Sequence, residues 1–220
     1  MSVSEDRDAA FVAKIAASAT HEIRNVLAII KESAGLVGDV IQSQGGRAAA
    51  SPDKVVRAVD RIDAQVSRGA EILTYLNRFA HSLDRAQGEN SLNQEVQQAA
   101  FLSERFARQG RHQVQVQVAD QDMSVGANPL WLQMALFVAV ECSLDQLPEA
   151  STVTIRTSLH GDRPSVEFVA EAGEGPALPV ATDTACWGRL VELLDRLGAS
   201  VEASNTERRF LIVLPLASIA

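Results

Sequence analysis

Cysteine is scarce in this chain: Cys142 and Cys186 are the only two among 220 residues, and they stand far apart. So sparse a pair is no disulfide framework, and free, mostly buried thiols in a reducing cytoplasm are expected. Positive charge is also short. Twenty Lys and Arg face 28 Asp and Glu, for a net charge of −8, which excludes a chain that gains affinity by neutralising nucleic-acid phosphates. No apolar run approaches the roughly 18–20 residues that span a bilayer. The opening Met1-Ser2-Val3-Ser4-Glu5-Asp6 is polar and acidic, unlike a signal peptide. Histidine is rare too, and His21, His81, His112 and His160 show no metal-ligand spacing with one another or with the cysteines. No membrane, no nucleic acid and no metal are therefore expected.

What the chain does have is 46% hydrophobic and 22% charged residues, enough apolar material for one or two cores. Val12, Ala16, Ala19, Ile23, Val26, Ile30, Ala34, Val37 and Ile41 recur at steps of three and four, one face of a helix from about Glu5 to Gln42. Ser2 with Glu5 reads as a capping box at its start. Ser43-Gln44-Gly45-Gly46 breaks the pattern, and Ser51-Pro52 supplies an N-cap and a first-turn proline. A second helix then carries Val55, Val59, Ile62, Val66, Ala70, Leu73, Leu76, Ala80 and Leu83 at the same spacing. Two long helices with a short connection form an antiparallel hairpin. A lone hairpin cannot cover such a stripe, so a homodimeric four-helix bundle is expected.

His21 lies two residues from both Ala19 and Ile23, nearly opposite the apolar face. Lys14, Ser18 and Asn25 follow the same three-and-four spacing and are expected on its ridge, with Glu22 and Arg24 beside it. The stretch His21-Glu22-Ile23-Arg24-Asn25 resembles the phospho-acceptor motif of two-component sensor histidine kinases, His-Glu-x-x-Asn/Thr, although Val26 stands where that family usually has proline. The resemblance implies that His21 accepts a phosphoryl group. Glu22 would then be general base or electrostatic orienter, and Asn25 would orient a water or a partner's phosphoryl group. Lys14, Ser18 and Arg24 would meet an acidic receiver domain, although for Lys14 and Arg24 plain solvated charge is the first reading. Few residues precede this helix, so any signal is expected to arrive through another protein.

Asp84 to Asn90 is polar and marks a boundary, which gives a hairpin domain over residues 1–85 and a second domain over 91–220. Ser91-Leu92-Asn93-Gln94 opens a helix with a capping-box pattern that ends near Gly110. Gln113 to Val118 alternates strictly, as a half-buried strand does. Asn128-Pro129 starts a helix reaching about Leu147. Thr152 to Leu159 and Ser165 to Ala170 read as a hairpin, Trp187 to Leu197 as an amphipathic helix stopped by Gly198. Ser200 to Ala203 and Phe210 to Leu214 supply two more strands. The order resembles the ATP-binding lobe of the same kinases, the sandwich shared with Hsp90, so the fold class is α+β: a helical hairpin followed by an α/β sandwich.

The nucleotide chemistry departs from the family. Its magnesium-holding helix reads Asn-x-x-x-Asn-Ala, and here those places fall on Val138, Cys142 and Ser143, with Glu141 keeping only the acid before the second. A hard cation is not held by valine or a thiol. The adenine-binding Asp-x-Gly-x-Gly is approximated by Glu171-Ala172-Gly173-Glu174-Gly175, the lid is cut to about a dozen residues without further glycine, and Thr206 to Arg209 replaces the last Gly-Thr. The reading is a histidine phosphotransferase that relays phosphoryl groups to or from receiver-domain aspartates. Its lobe binds no cofactor, and magnesium arrives with the receiver. A divergent kinase that does bind Mg-ATP, and a scaffold or phosphatase that binds response regulators without stable phosphohistidine, are the alternatives.

Overall fold

The computed structural model describes residues 3–43, 52–82, 88–145, 147–171, 180–204 and 206–217. The expected Ser2 cap, the Ser51 cap and the Gly173 and Gly175 calls for adenine therefore lie outside the described residues. The chain divides into two compact units, Met1–Arg78 and Phe79–Ala220.

The first unit consists of α1 (Val3–Ser43) and most of α2 (Pro52–Ser82). Val26 stands against Gly69, where an added Cβ would come within 3.3 Å of its Cγ1. Further along, Arg61 pairs with Glu32 at 3.5 Å. The sequence numbers run in opposite directions across these two contacts, so the helices are antiparallel. Glycine at 69 lets them approach closely there.

The apolar positions of the hairpin fall on two faces where one was expected. Phe11, Ile15, Ala19, Val26 and Ser33 of α1 are buried, as are Ala58, Gly69 and Ile72 of α2. Leu27 and Ile41 of α1 and Val59, Val66 and Leu73 of α2 remain more than half exposed. On α1 the outer set follows Ile23, Leu27, Ile30, Ala34 and Ile41. On α2, Val59, Val66 and Leu73 recur every seven residues, the repeat of a helix seam made for another helix. Each ridge is turned about 40–100° in the chain direction from its buried seam, at roughly 100° per residue. Because the helices are antiparallel, both ridges come to the same side of the hairpin.

The second unit is a sandwich. Five strands, β2 (Gln113–Gln117), β4 (Thr152–His160), β5 (Arg163–Glu171), β6 (Ser200–Ala203) and β7 (Arg209–Val213), make a sheet in the order β2-β4-β5-β7-β6. The β2–β4 pair is parallel and the others antiparallel. Three helices, α3 (Leu92–Gln109), α4 (Pro129–Leu144) and α5 (Ala185–Leu197), pack in sequence beside it. Alternation decides the faces: Val153, Ile155, Val166, Phe168, Phe210 and Ile212 are buried, while Arg156, Glu167 and Arg209 form ion pairs on the other face. Phe168 stacks on Phe210 at 4.9 Å, and Trp187 meets Phe210 edge-on at 5.3 Å, anchoring α5. Gly198 ends α5 with φ 64°, a left-handed conformation natural to glycine.

Two short strands had no signal in the sequence. β1 (Gly88–Ser91) and β3 (Ser124–Ala127) pair antiparallel in a separate ribbon. Their composition, Gly-Glu-Asn-Ser and Ser-Val-Gly-Ala, carries neither alternation nor β-branched enrichment. They bring Ser91, the cap of α3, beside Asp122. Burial acts to raise the Asp122 carboxyl, but hydrogen bonds from the Ser91 side chain and the backbone N–H of Asn93 and Met123 outweigh it and hold it below the ordinary carboxylate value.

Candidate functional site

Residues 20–25 lie mid-helix in α1, so the backbone fixes where each side chain goes. His21 is exposed, as its place opposite the buried seam requires. One turn on, Asn25 Nδ2 is 3.2 Å from His21 Nδ1. That is the i,i+4 neighbour relation of a helix surface. In this orientation the amide N–H donates to Nδ1, which puts the ring proton on Nε2. Turning the amide over presents Oδ1, which accepts from Nδ1–H and leaves the Nε2 lone pair free toward solvent. Glu22 is half-exposed beside the ring, Arg24 is exposed and Lys14 half-exposed. Ser18 departs from expectation. It is only 7% exposed, so it lies on the buried side and offers no surface to a partner; at three residues before His21 it is turned toward the seam.

In the second unit, Val138, Glu141, Cys142 and Ser143 all belong to α4, whose Asn128 cap accepts from Trp131 N–H at 3.1 Å. Val138 is buried, and the side chains of the other three are engaged by α5 or by α4 itself. Cys142 is bonded to Cys186, with Cα atoms 5.7 Å apart, and no cysteine among the described residues is free. This corrects the expectation of two free thiols: 44 residues of chain separate them, but the fold lays the start of α5 against α4. Cys186 Sγ is also 3.8 Å from the Val138 carbonyl oxygen. Arg189 lies 3.8 Å from Glu141. Ser143 is buried and donates to Ala139 O at 2.8 Å. Glu171 sits exposed at the end of β5. Among the described residues no cluster of His, Cys, Asp and Glu is set to hold a metal, and no helix is long and apolar enough to cross a membrane.

The described residues thus form a hairpin presenting an exposed histidine and a sandwich of one mixed sheet and three helices. No protein-family model matches the chain, and no curated protein does. Among solved structures, the catalytic domain of histidine kinase ThkA matches with a TM-score of 0.50 and 16% identity, over 60% of this chain and 97% of its own. Histidine kinase AdeS of Acinetobacter baumannii matches over 89% of this chain and 98% of its own, with 13% identity and a TM-score of 0.47. The histidine kinase domain of the blue-light-activated kinase EL346 of Erythrobacter litoralis covers 84% and 96%, with 14% identity and a TM-score of 0.46. At these identities the likeness is one of fold: the chain is α+β, and over 60% of its length the architecture is that of a histidine kinase catalytic domain.

Proposed function

We propose that this chain is a homodimeric histidine phosphotransferase of two-component signalling, in which His21 exchanges phosphoryl groups with receiver-domain aspartates of response regulators. The neutral imidazole Nε2 attacks the phosphorus of an aspartyl phosphate, the P–O bond to the carboxylate breaks, and the aspartate leaves as its anion. With its amide turned so that Oδ1 faces the ring, Asn25 accepts from Nδ1–H, which leaves Nε2 free to attack, and Glu22 stabilises the ring cation that forms. The remaining demand is alignment and charge neutralisation, and the receiver brings the magnesium for that. Arg24, three residues after His21, and Lys14, two turns before it, supply cations suited to an acidic receiver.

The observation that carries the phosphotransferase reading over an ATP-dependent kinase is the contact of α5 with α4. The side chains at the magnesium-holding places do not fit that ion: Val138 has no donor, Cys142 is bonded to Cys186, Ser143 donates within its helix, and Glu141 has Arg189 as a neighbour. The kinase-like fold favours the second reading, autophosphorylation from Mg-ATP, and one pair of assays separates them. Phosphorylated receiver domain should label the wild type on histidine and leave His21→Ala unlabelled, while labelled ATP labels neither. Efficient labelling from ATP that is lost in His21→Ala would establish the kinase. Receiver binding without any phosphohistidine would make the chain a scaffold or phosphatase.

A further inference from the structure

Cys142 and Cys186 differ in their surroundings. Cys142 is buried on α4, whereas Cys186 is half-exposed in the first turn of α5. Their Cα separation of 5.7 Å falls within the roughly 4.4–6.8 Å over which two cysteines bond without moving the backbone. A sulfur in the first turn of a helix faces the positive end of the backbone dipoles. The helix start favours a thiolate at Cys186, and its partial exposure lets a small oxidant or reductant reach it. Cys142, facing it and sheltered, is placed to resolve whatever forms there.

We propose that this pair is a reversible redox latch that fastens the first turn of α5 to α4. Peroxide closes it. The Cys186 thiolate attacks the peroxide O–O bond and becomes a sulfenic acid, releasing hydroxide that takes a proton to give water. The Cys142 thiol then displaces the sulfenic hydroxyl, forming the S–S bond and releasing a second water. Two thiols lose two electrons and two protons, and one peroxide becomes two waters. A dithiol reductant opens the latch through a mixed disulfide and ends as its own disulfide, with both cysteine thiols restored.

Opening has a local consequence. The body of α5 stays seated through buried Trp187, Leu190 and Leu194, with Trp187 against Phe210. Besides the bond, the turn around Cys186 is held by the Thr184 cap on Trp187 N–H at 3.1 Å, by Gly188 N–H on Thr184 O at 3.0 Å, and by two long contacts to α4, Cys186 Sγ to Val138 O and Arg189 to Glu141, each at 3.8 Å. The latch thus covers the α4 face carrying Val138 and Glu141 when oxidised and loosens its cover when reduced. It does not depend on phosphotransfer, and its test uses no phosphorylation readout.

The full chain is treated with hydrogen peroxide or with dithiothreitol, denatured and alkylated, while amide hydrogen exchange is followed on a parallel sample. No alkylated cysteine is expected after peroxide and two after dithiothreitol. Peptides covering residues 180–190 should exchange about tenfold faster in the reduced protein, with the β4–β5 peptides unchanged. Cys186→Ser and, separately, Cys142→Ala should show the fast exchange under both treatments. Two alkylated thiols after peroxide would overturn the proposal, as would oxidation of Cys186 to sulfinate without a bond. Identical exchange in the two states, or acceleration throughout the unit, would also overturn it, the latter by making the bond a global staple.

Discussion

Replacing Val66 and Leu73 with glutamate puts the pairing of two hairpins to the test. Both side chains are more than half exposed on α2, at 53% and 56%, and stand seven residues apart on the same ridge. Fully burying such a side chain is worth roughly 1.5–3 kcal/mol, so each has about 1 kcal/mol still to gain from a partner surface. A two-fold dimer uses each position twice. Four such side chains make about 4 kcal/mol, before any repulsion between the new carboxylates, which corresponds to roughly a thousandfold in Kd. Sedimentation equilibrium should find the wild type at twice the chain mass at micromolar concentration and Val66→Glu/Leu73→Glu at the single-chain mass. Circular dichroism should show unchanged helix content, since neither residue belongs to the buried seam of the hairpin. A wild type that stays at the single-chain mass near 100 μM, or a variant with unaltered association, would refute the reasoning.

Asn25→Ala removes the one-turn neighbour of the His21 ring, and the lost hydrogen bond should slow transfer from phosphorylated receiver roughly tenfold while receiver affinity holds; a normal rate would deny Asn25 its positioning role. Asp122 has a carboxyl held below its ordinary value in the folded chain. Its contribution is complete above the unfolded value of about 3.9 and is lost as pH falls through the lower folded value. Urea unfolding of Asp122→Asn should therefore lose part of the acid-side decline that sets in below about pH 4; an identical decline at every pH would refute the linkage.

Much of the architecture was legible because it rests on local periodicity. The α1 and α2 helices, the hairpin of β4 and β5 and the Gly198 stop fall within a few residues of where spacing and turn chemistry put them. β1 and β3 were illegible, since ribbons of small polar residues form only when a partner strand and the Asp122 turn hold them. For the candidate site, spacing was enough to put His21 and Asn25 on one outward ridge. It failed for Ser18, because a helix apolar on two sides reads as a single wide stripe.

The sequence by itself determined which segments are helices and strands and that an imidazole with an amide one turn on would face solvent, because those properties repeat at 3.6 and 2 residues and need no distant contact. Only the tertiary structure decided which apolar ridge closes the hairpin and which stays open, and that Cys186 meets Cys142 over the Val138 and Glu141 face. Those outcomes depend on how α2 lies on α1 and how α5 lies on α4, packings between residues tens of positions apart that no short-range pattern encodes.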